Sequence, residues 1–192
     1  MRIGIIGSGN LGSKLEALFA SAGHAVLAVG RANAADAAAH GEIVVLALPY
    51  DACATALPPL ADALRGKVVV DATNPINPDW SPMDLDGEAA AERVQSLLPD
   101  ARVVKAFNMV FADVMTPEGL DRDGTPATVF VAGDDEDARA TVAALADEVG
   151  FAPVEVGGLS HATFLEGMAH LNIQLALGMG AGTGGAFVYS RG

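Results

Sequence analysis

The chain has 192 residues and a formal charge of −13, from 24 acidic against 11 basic side chains. That length suits one substantial domain, the 51% hydrophobic fraction excludes a disordered chain, and an acidic surface with singly scattered Lys and Arg speaks against nucleic acid. The lone cysteine, Cys53, excludes an internal disulfide and a cysteine-rich metal site. No apolar stretch of about 20 residues runs uninterrupted, so no membrane span is expected. No leader-like segment is visible, and a reducing cytoplasmic setting is expected.

Arg2 to Ile6 is an apolar run ending at Gly7, which predicts a strand. Leu11, Leu15, Leu18, Phe19 and Ala22 recur at helical spacing until Gly23. His24 to Val29 is a second strand, bounded by Gly30, and the whole makes one βαβ unit. Ala32 to His40 has room for about two turns of helix. Glu42 to Leu48 reads as strand, Ala52 to Leu64 as helix and Lys67 to Asp71 as strand. Ile76 to Gly87, with Pro78, Trp80 and Pro82, reads as loop. Glu88 to Leu98 returns to helix, Arg102 to Ala106 to strand, and Phe111 to Pro126 is irregular.

Thr128 to Ala132 is a strand, and Asp134 and Asp135 are placed to cap a helix from Glu136 to Val149. Pro153 to Val156 is the last strand. Ser160 is placed to cap a final helix to about Leu177, before a Gly-rich tail. Strands that are apolar throughout and alternate with helices predict an α/β fold: a Rossmann-type, doubly wound, mainly parallel sheet with helices on both faces. One domain over 1–192 is expected. Within it, 157–192 holds the terminal helix and tail. Phe164, Leu165, Met168, Leu171, Ile173 and Leu175 make that helix apolar on more than one side, so it should be buried, on its own sheet or in a homodimer.

Gly7-Ser8-Gly9-Asn10-Leu11-Gly12 has the G-x-G-x-x-G pattern between a strand and a helix. There Gly7 permits the tight turn, Gly9 lets a pyrophosphate approach the backbone, and Gly12 lets the helix pack close. The helix N-terminus adds free N–H donors and about half a positive charge. Gly7 and Gly12 also have P-loop spacing, but Ser13 stands where that motif needs lysine. The second strand ends Val29-Gly30-Arg31 with no carboxylate for ribose hydroxyls. Arg31 offers a forked donor to a 2′-phosphate, so NADP(H) is the expected dinucleotide.

With these features the chain resembles the NADP oxidoreductase family typified by F420-dependent NADP reductase, which is akin to the N-terminal domain of pyrroline-5-carboxylate reductase. The likeness rests on Gly7 to Gly12, Glu42 to Tyr50 (EIVVLALPY), Val70 to Ile76 (VDATNPI), Val103 to Asn108 (VVKAFN) and Leu165 to Met168 (LEGM). It implies that Ser8, Asn10 and Leu11 line the pyrophosphate and that Gly30 and Arg31 face the adenosine phosphate. It places Leu48 and Pro49 beside the ribose and nicotinamide, with Asn74 and Pro75 beneath the nicotinamide. Ala106, Phe107 and Asn108 would floor an acceptor pocket. Only ten residues separate Arg31 from Glu42, where longer relatives carry a longer helix and usually a strand, so one sheet edge should be trimmed, as in a short-form subgroup of dinucleotide-binding oxidoreductases.

The resemblance implies hydride transfer between NADP(H) and a flavin, deazaflavin or similar planar small-molecule acceptor. An imine or carbonyl reductase, or a non-catalytic NADP-binding sensor, are the alternatives. No acid–base catalyst stands out, and such a transfer rests on positioning. Lys105 and Asn108 are the candidates, while His161 and His170 read as cap or packing residues. There is no Tyr-x-x-x-Lys, no Gly-x-Ser-x-Gly elbow and no metal-ligand histidine spacing.

Overall fold

The computed structural model describes residues 1–190. Its strands are β1 (Arg2–Ile6), β2 (Ala25–Val29), β3 (Ile43–Leu46), β4 (Val68–Asp71), β5 (Arg102–Lys105), β6 (Asp121–Arg122), β7 (Thr125–Pro126), β8 (Thr128–Gly133) and β9 (Ala152–Gly157). Its α-helices are α1 (Asn10–Ser21), α2 (Ala34–His40), α3 (Cys53–Ala56), α4 (Ala61–Leu64), α5 (Ala90–Leu97), α6 (Pro117–Leu120), α7 (Glu136–Glu148) and α8 (Ala162–Ile173). Seven strands form one sheet in the order β2-β1-β3-β4-β5-β8-β9, and β6 and β7 form a separate small hairpin. Every pairing in the large sheet is parallel except β5 with β8. This is the doubly wound, mainly parallel α/β fold expected.

The strand periodicity of two sorts the core onto both faces. Ile3, Ile5, Ile43, Val45, Val68, Val70 and Val104 join α1 and α7 residues such as Leu15, Phe19, Val142 and Leu145 in one cluster. Ile6, Val44, Leu46, Val69 and Val103 point the other way, toward Ala37, Leu57, Leu64 and Val94. Strands buried on both faces cannot alternate apolar with polar, which is why they read as continuous apolar runs.

β2 is an edge strand, as the short Arg31–Glu42 segment implies. A single turn, Arg31–Asn33, leads into α2. α2 presents Ala34, Ala37 and Ala38 and lies so close to the sheet that a Cβ at Gly4 would sit 2.1 Å from the Ala37 carbonyl oxygen. Small residues on both sides thus let a seven-residue helix cover β1.

Four local expectations need correction. Ala52 to Leu64 is not one helix: Pro58 and Pro59 break it into α3 and α4 with short 3-10 turns. Ser160 does not cap the last helix, which follows a 3-10 turn at Leu159–His161 and has no side-chain cap. Asp135 alone caps α7, accepting from the Ala138 N–H at 2.8 Å, while Asp134 accepts from the Leu159 N–H. α8 is also not buried all round: Leu165, Ala169 and Ile173 are buried, but Phe164 is 66% and Leu171 51% exposed. Past α8 the chain continues in a π-helical turn, Gln174–Gly178.

Candidate functional site

The C-terminal ends of β1 to β5 carry every residue expected to touch a dinucleotide. Gly7 to Gly12 follow β1, Gly30 and Arg31 follow β2, Leu48 and Pro49 follow β3, and Asn74 and Pro75 follow β4. Successive connections leave β1 toward β2 on one side and β3 on the other, so α1 opens at the topological switch point. Crevices at that place are where open α/β sheets bind ligands.

The turn after β1 has no slack for side chains. Gly7 has φ +125°, and a Cβ there would lie 2.0 Å from the Ala47 carbonyl oxygen. A Cβ on Gly12 would lie 1.8 Å from the Gly7 carbonyl oxygen. At Gly9 the same construction meets nothing within 4 Å, so the space before α1 is open. Gly9 is the N-cap of α1 without a side-chain cap bond, and the first turn holds no acidic residue. The first-turn N–H groups and the dipole are therefore free for an anion, which fits a pyrophosphate. Ser8, Asn10 and Arg31 are exposed around this opening.

A cavity of about 470 Å³ continues from the helix start. Asn10 and Leu11 form one wall, Ala72 and Asn74 another, and Asn108, Met109 and Phe111 a third. Trp80, from the loop after β4, closes one side, and Ala169, Asn172, Ile173 and Thr183 close it from α8 and the tail. The lining is mainly apolar with a few amides, the composition of a small-molecule site.

Phe107 does not floor this cavity. It has φ +63°, rare for a bulky side chain, and its ring packs edge-on against Phe19 and Phe151 in the core. The left-handed residue turns the chain after β5, and Asn108 follows it on the cavity wall. Asn108 donates from Nδ2 to the Asn74 Oδ1 at 2.9 Å and to the Leu165 carbonyl at 3.2 Å. Asn74 in turn donates from Nδ2 to the Asn108 carbonyl at 2.7 Å. Asn172 donates to the Met109 carbonyl at 3.0 Å. Three asparagines from three elements thus pin the chain around the cavity.

Lys105 is fully buried. Its Nζ lies 2.9 Å from Asp71 Oδ2 and 3.1 Å from Glu166 Oε1, and it donates to the Thr73 carbonyl at 2.6 Å. Burial opposes its charge, but Asp71 and Glu166 outweigh burial and raise its pKa above the ordinary lysine value. Glu166 also accepts from the Ala90 and Ala91 N–H groups at the start of α5. The ammonium has three acceptors and is not a free proton donor. Nothing in local periodicity announces this cluster; the available signal was a carboxylate, Glu166, inside an apolar helix. His161 is held by its Nδ1 contact to the Val156 carbonyl at 2.6 Å. Among the described residues no helix is long and apolar enough to cross a membrane, and no group of three metal-ligating side chains occurs.

Comparison with known proteins agrees with this geometry. A family model described as NADP oxidoreductase, coenzyme F420-dependent, matches residues 28–75. The F420-dependent NADP reductase of Methanothermobacter thermautotrophicus is 35% identical over 164 residues, covering 80% of this chain and 68% of that protein. The F420-dependent NADP reductase of Methanocaldococcus jannaschii is 33% identical over 147 residues, covering 73% and 64%. The chain therefore spans about two thirds of the length of these relatives. A solved structure of a candidate F420-dependent NADP-reductase from Arthrobacter sp. FB24 superposes over all of both chains, with a TM-score of 0.87 and 26% identity. With its turn, its sheet order and these relatives in agreement, the chain belongs to the F420-dependent NADP oxidoreductase family.

Proposed function

We propose that this chain is an NADPH-dependent oxidoreductase that passes a hydride between NADP(H) and a flavin, deazaflavin or similar planar acceptor. The observation that carries the reading is continuity: Asn10 and Leu11 belong both to the open, uncapped start of α1 and to the wall of the apolar cavity. A dinucleotide anchored at the first would extend its reactive end into the second.

The chain's own residues then act by position. The N–H groups of the first turn of α1 hold the pyrophosphate, and Arg31 takes the 2′-phosphate. Leu48 and Pro49 border the ribose and nicotinamide, and Asn74 and Pro75 lie beneath the ring. When bound, NADPH supplies a hydride and leaves as NADP⁺, while the acceptor takes the hydride together with one proton from solvent. The apolar walls exclude water and keep two flat rings in register, which is where such a reaction gains its rate. Lys105 fastens the fold beneath the site rather than serving the proton.

The exposed Phe164 and Leu171 on α8, with Leu175 in the π-helical turn that follows, suit a second copy of the chain, and a homodimer is part of the reading. Sedimentation showing only monomer at micromolar concentration would remove it. The central test is loss of NADPH absorbance with FMN, FAD, riboflavin, a deazaflavin and simple cyclic imines, with NADH in parallel. Turnover of one flat acceptor with NADPH preferred is expected. Turnover of imines alone, or NADPH binding without turnover of anything, would overturn the acceptor class.

A further inference from the structure

We propose that Asn108 is the residue that selects the acceptor: its Oδ1 accepts a hydrogen bond from a ring N–H on the edge of the planar molecule that enters the cavity. The inference rests on the acceptor reading above and deepens it. It starts from an orphan. Asn108 is only 7% exposed, and its Oδ1 is buried without a hydrogen-bond partner.

The amide orientation follows from its neighbours. The Leu165 carbonyl can only accept, so the group 3.2 Å from it must be the Asn108 NH₂. The Asn108 carbonyl likewise can only accept, so Asn74 turns its NH₂ toward it and its Oδ1 toward Asn108. Both hydrogens of the Asn108 amide are then committed, and a flip would break two bonds at once. What the amide has left is an oxygen. On a largely apolar wall, a buried acceptor without a partner rewards a ligand that brings a donor and penalises one that does not. Oxidised flavins and deazaflavins carry one such donor on their ring system, the imide N–H between two carbonyls.

Trp80 is the chain's single tryptophan and lines the same cavity, so a ring that binds there should quench its fluorescence. The probes are riboflavin or 5-deazariboflavin, whichever NADPH reduces faster, and the derivative methylated on the imide nitrogen. The unaltered protein is expected to bind the parent ring on the order of 10- to 100-fold more tightly than the methylated one. In Asn108→Ala, affinity for the parent should fall to the level of the methylated ring, and the discrimination should vanish, with NADPH affinity changed by a smaller factor. Asn108→Ser serves if the alanine variant does not fold, and the ligand pair on the unaltered protein requires no variant. Equal binding of both rings, with NADPH reducing them, overturns the Asn108 inference and leaves the acceptor reading standing. A variant that loses NADPH affinity but keeps the discrimination between the two rings also overturns it, because the amide then serves the nicotinamide side. Failure of NADPH to reduce any flavin or deazaflavin overturns the acceptor reading first, and this inference with it.

Discussion

Replacing Lys105 by methionine separates a fastening role from a catalytic one. Lys105→Met keeps a long apolar stem and removes the charge, leaving Asp71 (fully buried) and Glu166 (8% exposed) beside each other without their cation. Breaking a buried pair in this way costs about 3–5 kcal/mol, a large part of the ~5–15 kcal/mol that stabilises a typical protein. The pH dependence follows from linkage. In the unaltered protein the Lys105 pKa is raised, so its stabilisation is fully present below the unfolded lysine value of about 10.4 and is lost as pH rises through the higher folded value. Near neutrality it is constant. Urea unfolding of both proteins near neutrality, followed by circular dichroism because Trp80 is half-exposed, measures the loss directly. A loss below about 1 kcal/mol would refute the argument. Folded variant that binds NADPH but has lost all turnover would make Lys105 catalytic after all.

The glycine turn offers a paired test. Gly9→Ala should fold normally, since its Cβ enters open space, yet weaken NADPH binding about 10-fold or more by occupying the approach of the pyrophosphate, as isothermal titration would show. Gly12→Ala drives a Cβ into the Gly7 carbonyl and should cost about 3 kcal/mol or more in thermal or urea unfolding. Arg31→Ala should reduce the preference for NADPH over NADH in kcat/KM by about 10- to 100-fold, with NADH rates little changed. Cys53 is 2% exposed, and burial, reinforced by the negative field of Asp71, pushes its thiol up to about 12. Thiol reagents at mildly alkaline pH should therefore leave Cys53 unlabelled in the folded protein and label it fully in denaturant.

The strand-turn-helix unit at the N-terminus was legible because its signals are local: apolar runs, a fixed glycine spacing and a helical stripe. The placement of Leu48, Asn74 and Asn108 at one sheet edge was legible only through the family likeness, since spacing along the chain does not reveal which strands become neighbours. The Lys105 cluster lay beyond both. Its partners are 34 and 61 residues away, and each residue alone reads as an ordinary strand end or helix polar position. Phe107 was misplaced for a related reason: a bulky aromatic gives no warning of a left-handed backbone, and the turn sends its ring to the opposite side from Asn108. α8 shows the converse limit, because an apolar sequence says what would gain from burial and not whether the sheet has area left to cover it.

The reach of Glu166 to the start of α5 also bears on how the molecule opens. The amides of Ala90 and Ala91 depend for their acceptors on a side chain roughly 75 residues further along. If the end of the chain lifts away, those two amides lose their protection at the same moment that the Lys105 ammonium loses a counter-charge. Terminal helices commonly fray independently, on a scale of almost no free energy. Here the last helix is tied into the cooperative unit, and the hydrogen-exchange rates of Ala90 and Ala91 become a gauge of whether the far wall of the cavity is shut.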